Sequence, residues 1–404
     1  MPQNIAVIGG GAAGFFAAFS CKTHSPNARV TIFEKTGKLL SKVKVSGGGR
    51  CNVTHACFNN NDLVKFYPRG GKHLKKVFGQ FTTSDTVAWF QERGVELKAE
   101  ADNRMFPITD NSQTIIDCFL KEATKLGIQV VVNANVNSIQ PKQPGFDLKI
   151  GEKTQYFDKV IVASGGSPKA QGFDWLKALG HEIIPPVPSL FTFNMPKESI
   201  KNLMGLSVPN ATVRVQGTKL QQSGPLLITH WGMSGPAILK TSAWGARVLS
   251  DLNYDFKIQV NWLGSMNEEE LRAWFTNSLQ TIGKRKIRNK NPFEIPNRLW
   301  DFFLEKVEVD GEGIWAELSK KSLNRLINLL LNDTYQVKGK TTFKEEFVTS
   351  GGVALSDVDF NSMESRKCPD LFFAGEVIDV DGVTGGFNFQ AAWSTGFVAG
   401  KTSE

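Results

Sequence analysis

The sequence predicts an α/β protein in which a parallel-sheet domain is interrupted by an inserted domain of different texture. Three observations predict it. Residues 4–9 form a short apolar strand that runs into a glycine turn, an Ala/Phe-rich helix at 12–22 and a second apolar strand at 28–34. That is a βαβ unit, whose right-handed crossover lays the helix on the sheet. A further buried-strand pattern, Leu371-Phe372-Phe373-Ala374-Gly375, returns near the end of the chain. Between them, from about 187 to 340, the pattern shifts to short alternating segments and then helices. The length agrees: 404 residues exceed one compact core, and roughly 150 residues per domain gives two or three.

Taken in order, Val130-Val131-Val132 and Lys159-Val160-Ile161-Val162 extend the sheet. The stretch 111–127 reads as a helix with Leu120, Ala123 and Leu126 inward. Ile184-Pro185-Pro186-Val187-Pro188 cannot continue a helix or a central strand and reads as a stiff linker. Beyond it, Ala211–Val215 and Phe256–Val260 alternate as half-buried antiparallel strands. Residues 267–283 and 315–332 read as helices, the first opened by Asn267-Glu268-Glu269-Glu270, a cap followed by acids at the positive end. The expected domains are 1–186, an insert at 187–340 (187–263 mainly β, 264–340 mainly α) and a return at 341–404.

Composition narrows the class. Apolar residues make up 41% and charged residues 21%, which excludes a disordered or collagen-like chain. Glycine occurs in pairs and triplets at 9–11, 47–49, 70–71, 165–166, 351–352 and 385–386, where backbone turns tightly or approaches a ligand. The five cysteines are scattered with no C-x-x-C, which argues against a zinc ribbon or disulfide framework and for a reducing, cytoplasmic setting. The apolar run from Ile5 to Phe19 is too short to span a bilayer and lacks a basic lead, so no membrane partner is expected. The net charge of +8 suits an anionic ligand.

The strongest motif is Gly9-x-Gly11-x-x-Gly14, which follows a strand and opens a helix, with Glu34 ending the next strand. Gly9 makes the turn. Gly11 admits a pyrophosphate to the helix N-terminus, beside Ala12 and Ala13. Gly14 lets helix meet strand, and Glu34 accepts from an adenosine ribose. Two distant segments separate FAD from NAD. Val160 to Gly166 is an apolar strand ending in a glycine turn, including Ala163, Ser164 and Gly165. Leu371 to Glu376 ends in Gly375-Glu376, and Val383-Thr384-Gly385-Gly386-Phe387-Asn388 opens a helix soon after. A long cofactor threading past several strand ends fits this arrangement, with the last helix aimed at the flavin pyrimidine edge.

These residues, with Ser46-Gly47-Gly48-Gly49-Arg50-Cys51-Asn52-Val53-Thr54, Thr229-His230-Trp231-Gly232-Met233-Ser234-Gly235-Pro236-Ala237 and Thr349-Ser350-Gly351-Gly352-Val353, resemble the BaiN/RdsA-like NAD(P)/FAD-dependent oxidoreductases, the aminoacetone-oxidase family of flavoproteins. The resemblance covers nearly the whole chain. It implies a glutathione-reductase-type FAD-binding Rossmann domain with an inserted β-barrel-like plus helical domain. It carries FAD contacts over to Gly9, Gly11, Ala13, Gly14, Glu34, Lys35, Arg50, Val136, Ala163, Gly165, Gly375, Glu376, Gly386 and Asn388. Ser164 stands where many members have Thr, and the loop 167–173 is shorter than theirs.

The chemistry-bearing candidates are weighed against plainer roles. Gly48, Gly49, Arg50, Cys51 and Asn52, with Lys42 and Lys44 nearby, read as an anion nest for the pyrophosphate, while the basic residues of 65–76 read as a solvated loop. Cys51 is a redox candidate beside a flavin, but Cys57 is not at the usual spacing for a partner, and buried packing is the favoured role. His230 is a candidate proton donor, balanced by a hydrogen-bonded structural role. Arg104 is a candidate substrate contact. The tract Lys284-Arg285-Lys286-Ile287-Arg288-Asn289-Lys290 lacks interleaved aromatics and reads as an exposed connection, which argues against a nucleic-acid partner. No metal-ligating spacing, phosphate-binding Gly-Lys-Ser/Thr loop or second G-x-G-x-x-G occurs. The reading is therefore an FAD-dependent oxidoreductase that moves hydride between a small organic substrate and flavin, with NAD(P)H as a transient reductant or oxygen as acceptor. The alternative is a flavin-dependent RNA-modifying or RNA-binding protein.

Overall fold

A computed structural model describes residues 2–289, 291–341 and 348–401. The chain divides into two compact units, Met1–Ser189 with Phe343–Glu404, and Leu190–Thr342.

The first unit is built on a parallel sheet. Strand β1 (Asn4–Ile8) leads to helix α1 (Ala12–His24) and strand β2 (Arg29–Phe33). Strands β3 (Gln129–Val131), β4 (Lys159–Val162) and β5 (Leu371–Phe373) complete the parallel order β3–β2–β1–β4–β5. Two short antiparallel strands, Glu364–Ser365 and Val358–Asp359, extend the β5 edge. Ala6, Val7, Ile32, Val160, Val162 and Phe373 are almost wholly buried, as strands covered on both faces require.

Helix α1 is buried nearly all round, with Phe15, Phe16 and Phe19 in one aromatic cluster with Trp89, Phe119 and Trp393. The closing helix α2 (Phe387–Lys401) packs on it through glycines. A Cβ added at Gly400 would lie 2.2 Å from the Ala17 carbonyl oxygen, and one at Gly396 2.6 Å from that of Ala13. Only glycine permits two helices to approach this closely.

Several local expectations are corrected here. The helix Ser112–Lys125 buries Ile115, Ile116, Phe119 and Ala123, whereas Leu120 is exposed and Leu126 half-exposed. Phe119 joins the aromatic cluster, which rotates the inward stripe one position away from Leu120. Residues 184–188 lie inside a strand, Ile183–Ser189, paired antiparallel with Val348–Val353. The pairing slips between Ile184 and Val187, so Pro185 and Pro186 sit at the irregularity and cost no ladder bond.

The second unit holds a separate seven-stranded antiparallel sheet, none of whose strands joins the parallel one. Its order is Asp333–Lys338, Asp255–Asn261, Ser207–Val215, Gln221–Ile228, Gly232–Ser234, Thr192–Asn194 and Lys340–Thr341. The first and last of these are consecutive in the chain, joined at Gly339 (φ +93°). The Gly339 N–H donates to the Tyr254 carbonyl at 2.8 Å, and its carbonyl accepts from the Asn194 N–H at 3.2 Å. One bent strand thus bonds to both edges and closes the sheet in a barrel-like manner.

Helices Glu268–Ile282, Asn297–Lys306 and Lys320–Asn332 cover a core containing Trp262, Trp300, Phe303 and Leu330. Asn267 forms the capping box with Glu270. The helix read over 315–332 starts at Lys320, because Ser319 caps it and Trp315–Glu317 form a separate tight turn. The helix Asn297–Lys306 has no counterpart in the sequence reading, and helices Pro236–Trp244 and Ala246–Asp251 lie within the stretch read as mainly β.

Candidate functional site

Within the first unit, the predicted dinucleotide residues come together at the carboxyl ends of β1, β2, β4 and β5. Gly9 (φ +119°) turns the chain, and a Cβ there would lie 2.3 Å from the Ala163 carbonyl oxygen at the end of β4. A Cβ at Gly14 would lie 1.9 Å from the Gly9 carbonyl oxygen. Both glycines are therefore demanded by the protein itself. Gly11 differs: it is extended (φ −98°, ψ −170°), and nothing lies within 4 Å of an added Cβ. It sits at the N-cap of α1, with Ala12 and Ala13 in the first turn, where N–H groups have no intrahelical acceptor.

Glu34 follows β2 and reaches back under the turn. Its Oε2 accepts from the Gly10 N–H at 3.0 Å, and its Oε1 accepts from the Thr36 N–H at 2.9 Å and the Thr36 hydroxyl at 2.8 Å. Lys35 beside it is exposed. The segment after β3 runs alongside, with the Ala134 N–H donating to the Glu34 carbonyl at 2.8 Å, and this brings half-buried Val136 close in sequence to the same end.

Gly47, Gly48, Gly49 and Cys51 all have positive φ (59°, 70°, 85° and 61°). Space is open where a Cβ would stand on Gly48, Gly49 and Gly165. Together with the free space at Gly11, this leaves room for a ligand to approach the backbone at these turns, as a nucleotide requires. The basic residues are placed differently from the anion-nest expectation. Arg50 Nη1 donates to Glu100 at 2.6 Å, and its guanidinium stacks on Phe106 at 4.0 Å. Lys42 Nζ donates to Glu376 Oε2 at 2.5 Å. Arg69, in the loop read as solvated, makes a buried two-pronged pair with Asp381 because the loop packs against the 377–383 segment.

Glu376 and the glycines around it tie three segments together. Its Oε1 accepts from the Thr349 N–H at 2.8 Å. Gly375 (φ +73°) would place a Cβ 2.8 Å from Ala13 Cβ, and its N–H donates to the Thr395 hydroxyl at 2.9 Å. Ser164 is exposed at the end of β4, beside Gly165 and Gly166. The hydroxyls of Thr349 and Ser350 are buried without partners. Buried hydroxyls are ordinarily paired, so these two carry an uncompensated desolvation cost.

At the other end, Gly385 and Gly386 precede α2. Asn52, oriented so that both amide atoms are satisfied, donates to the Thr54 carbonyl and accepts from the Gly386 N–H, each at 3.0 Å. A Cβ at Gly386 would lie 2.5 Å from the Thr54 carbonyl oxygen. This glycine is thus needed for backbone approach, and valine there would disrupt the protein before it reached any ligand. The first intrahelical bond runs from the Gln390 N–H to the Gly386 carbonyl at 3.0 Å, so the N–H groups of the first turn remain as donors at the positive helix end. Gln390 Oε1 accepts from the hydroxyls of Thr54 at 2.6 Å and Thr86 at 3.0 Å, a buried network that the sequence reading missed. Phe387 stacks on Phe66 at 4.3 Å and lies 4.6 Å from the His55 ring, whose Nδ1 is 3.2 Å from the Gly385 carbonyl.

Each catalytic candidate takes its place within its own unit. Cys51 is fully buried and its thiol is pushed up to about 12 by burial, which suits packing and not redox exchange. Arg104 pairs with Asp102 at 2.7 Å and with Glu100 at 3.2 Å. His230 lies exposed in the second unit, 4.4 Å from the Trp231 ring. In the basic tract, Lys286 and Arg288 pair with Glu312 while Ile287 is buried.

A parallel sheet with glycine turns after β1, β4 and β5 and an acid after β2 defines a dinucleotide-binding flavoprotein of the Rossmann type. The chain belongs to the HI0933-like protein Rossmann domain family, which it matches over residues 3–402. It is 24% identical to the 3-dehydro-bile acid delta(4,6)-reductase of Clostridium scindens, across 99% of both chains. It is 26% identical to the ribosomal RNA dihydrouridine synthase of Escherichia coli, across 98% of this chain and 96% of that protein. Among solved structures, the FrdA chain of E. coli quinol fumarate reductase is similar with a TM-score of 0.52 at 13% identity, covering 100% of this chain and 70% of that one. The 3-ketosteroid delta1-dehydrogenase of Sterolibacterium denitrificans gives 0.50 at 10% identity, covering 100% and 99%. The protein is an FAD-dependent oxidoreductase. No helix among the described residues is long and apolar enough to cross a membrane.

Proposed function

We infer that this oxidoreductase transfers hydride from flavin to the carbon–carbon double bond of a small organic substrate, with NAD(P)H as the electron source. The observation that carries this reading is the reductive chemistry named for relatives matched along almost their whole length, a delta(4,6)-reductase and a dihydrouridine synthase. Bound FAD supplies the two-electron chemistry, and the chain supplies binding, orientation and charge. Glu34 would take the adenosine ribose, with Lys35 and Val136 flanking that end. The N-terminus of α1 at Gly11, Ala12 and Ala13 would take the pyrophosphate. Gly48, Gly49, Ala163, Ser164 and Gly165 would line the passage, and Lys42 would stand beside it with its charge shared with Glu376. Glu376 would hold the middle of the cofactor. The first turn of α2, at Phe387 and Asn388 just after the Gly385-Gly386 turn, would stabilise negative charge at the pyrimidine edge.

A second reading is reduction of a uracil ring in ribosomal RNA. It is favoured by relatives named for that product at 26% and 27% identity and by the net charge of +8, which suits a polyanion.

Anaerobic mixing of the FAD-loaded protein with NADH, then NADPH, should bleach the flavin absorbance. Adding a cyclic enone or uridine-containing ribosomal RNA then separates the readings. Reoxidation by the enone supports the first. Reoxidation by RNA with dihydrouridine formed supports the second. Reoxidation by oxygen alone would make the protein an oxidase and overturn both.

A further inference from the structure

We propose that the helix Gly71–Phe78 docks the phosphate backbone of an RNA strand through Lys72, Lys75 and Lys76. The inference rests on the second reading above, reduction of a uracil ring in ribosomal RNA, and names a surface of the first unit that would hold such a strand. The helix buries Leu74, Val77 and Phe78 and leaves the three lysines exposed. Residues 72, 75 and 76 fall at i, i+3 and i+4, so they stand about 5–6 Å apart on one face.

These charges are not met from within the protein. The cations around them are taken: Lys65 pairs with Asp62 at 2.7 Å and Arg69 with Asp381. Among the described residues, Lys72, Lys75 and Lys76 form no ion pair. The loop beside the helix is held by the His73 ring, 5.0 Å from that of Phe360, and by Gln80 Nε2, which donates to the Asn361 carbonyl at 2.8 Å. Its carboxylate, Asp359, already accepts from the Asn361 N–H at 3.0 Å and pairs with Arg366 at 3.7 Å.

Nor does the helix gain stability from Lys72. Gly70 is the N-cap, so Lys72 stands in the first turn, at the positive end of the helix dipole, where an acid is stabilising and a cation is not. Lys72 and Lys76 are like charges four residues apart, which also weakens a helix. The helix Glu268–Ile282 shows the ordinary arrangement, with Glu268, Glu269 and Glu270 in its first turn. A row of cations that costs its own helix stability, with no acid to meet it, is complementary to a row of anions from outside. The row also adjoins the first turn of α2. The Tyr67 hydroxyl donates to the Phe387 carbonyl at 2.7 Å, and the Val383 N–H donates to the Phe66 carbonyl at 2.9 Å.

The test uses the FAD-loaded full chain and a fluorescein-labelled single-stranded oligouridine, with binding read by anisotropy over a salt series. For the parent, log affinity should fall linearly with log salt. Lys72→Gln/Lys75→Gln/Lys76→Gln should reduce that slope by about 2 and weaken binding about tenfold or more at physiological salt. Its urea midpoint should equal or exceed that of the parent, since the repulsion between Lys72 and Lys76 is gone. Lys72→Arg/Lys75→Arg/Lys76→Arg keeps the charge and should keep the slope. Lys121→Gln/Lys149→Gln/Lys153→Gln removes the same charge from exposed positions elsewhere in the unit and should bind like the parent. An unchanged slope in the first variant overturns the proposal, as does an equal loss in the last, which would make binding a property of net charge. Binding of phosphatidylserine vesicles without binding of RNA also overturns it and makes the partner a membrane surface. No RNA binding by the parent even at low salt overturns the second reading itself, whereas RNA binding that survives loss of the three lysines overturns only this surface.

Discussion

Asn388 satisfies both backbone polar groups of Gly382. Its Oδ1 accepts from the Gly382 N–H at 2.8 Å and its Nδ2 donates to the Gly382 carbonyl at 2.9 Å. One side chain in the first turn of α2 therefore ties down the loop that precedes the helix. Asn388→Leu should cost about 2–4 kcal/mol, because two partly buried backbone groups lose their partners. Asn388→Asp, which keeps the acceptor but not the donor, should fall between. Urea unfolding of the three proteins checks the order.

Gly11 and Gly14 should respond in opposite ways to the same substitution. Gly11→Val meets open space in an ordinary backbone conformation, so it should fold like the parent and purify without FAD. Gly14→Val would drive its Cβ into the Gly9 carbonyl and should destabilise by about 4 kcal/mol or more. Circular dichroism with flavin absorbance distinguishes them. A yellow Gly11→Val protein would remove the pyrophosphate from the end of α1.

Arg69 and Asp381 form a buried pair, with side-chain exposures of 10% and 0%, and Asp381 also accepts from the Ser189 hydroxyl at 2.8 Å. Burial pushes the Asp381 carboxyl up, against the lowering pull of Arg69. Arg69→Met should cost about 3–5 kcal/mol at neutral pH, since it strands a buried charge. The Arg69→Met/Asp381→Asn double variant should recover part of that loss. Chemical denaturation of the single and double variants measures the recovery, and additive losses would mean that the two residues do not act as a pair.

Cys21 and Cys51 govern an alkaline limb of stability. Burial pushes both thiols up to about 12, from an ordinary value of 9.0. An unfolded chain releases these protons as pH passes 9.0, whereas the folded chain retains them until about 12. Between those values the folded state binds more protons, so stability is full below the lower one and falls as pH rises. Denaturation midpoints should decline over this window and decline less in a Cys21→Ala/Cys51→Ala variant. Native-state alkylation should reach half-buried Cys57 first.

The βαβ unit proposed to take the nucleotide was legible as a fold element because its signals are local. Gly9, Gly11, Gly14 and Glu34 lie in one βαβ unit, and turn, helix and acid follow from short-range geometry, as do β4 and β5 from their apolar runs. The helix Asn297–Lys306 and the inward face of Ser112–Lys125 were not legible, because the identity of the buried stripe depends on which aromatic cluster covers it.

The sequence by itself determined the class of fold and the cofactor type, since glycine at a forced turn and an acid at a strand end state their roles without neighbours. Only the tertiary structure decided which charges were already taken. Arg50 finds Glu100, Lys42 finds Glu376 and Arg69 finds Asp381 across separations of 50, 334 and 312 residues. Electrostatic pairing depends on distance in space, and no local pattern encodes that distance. The same holds for Thr349, whose motif was visible in the chain but whose orphaned hydroxyl appears only once Gly166 and Glu376 are brought beside it.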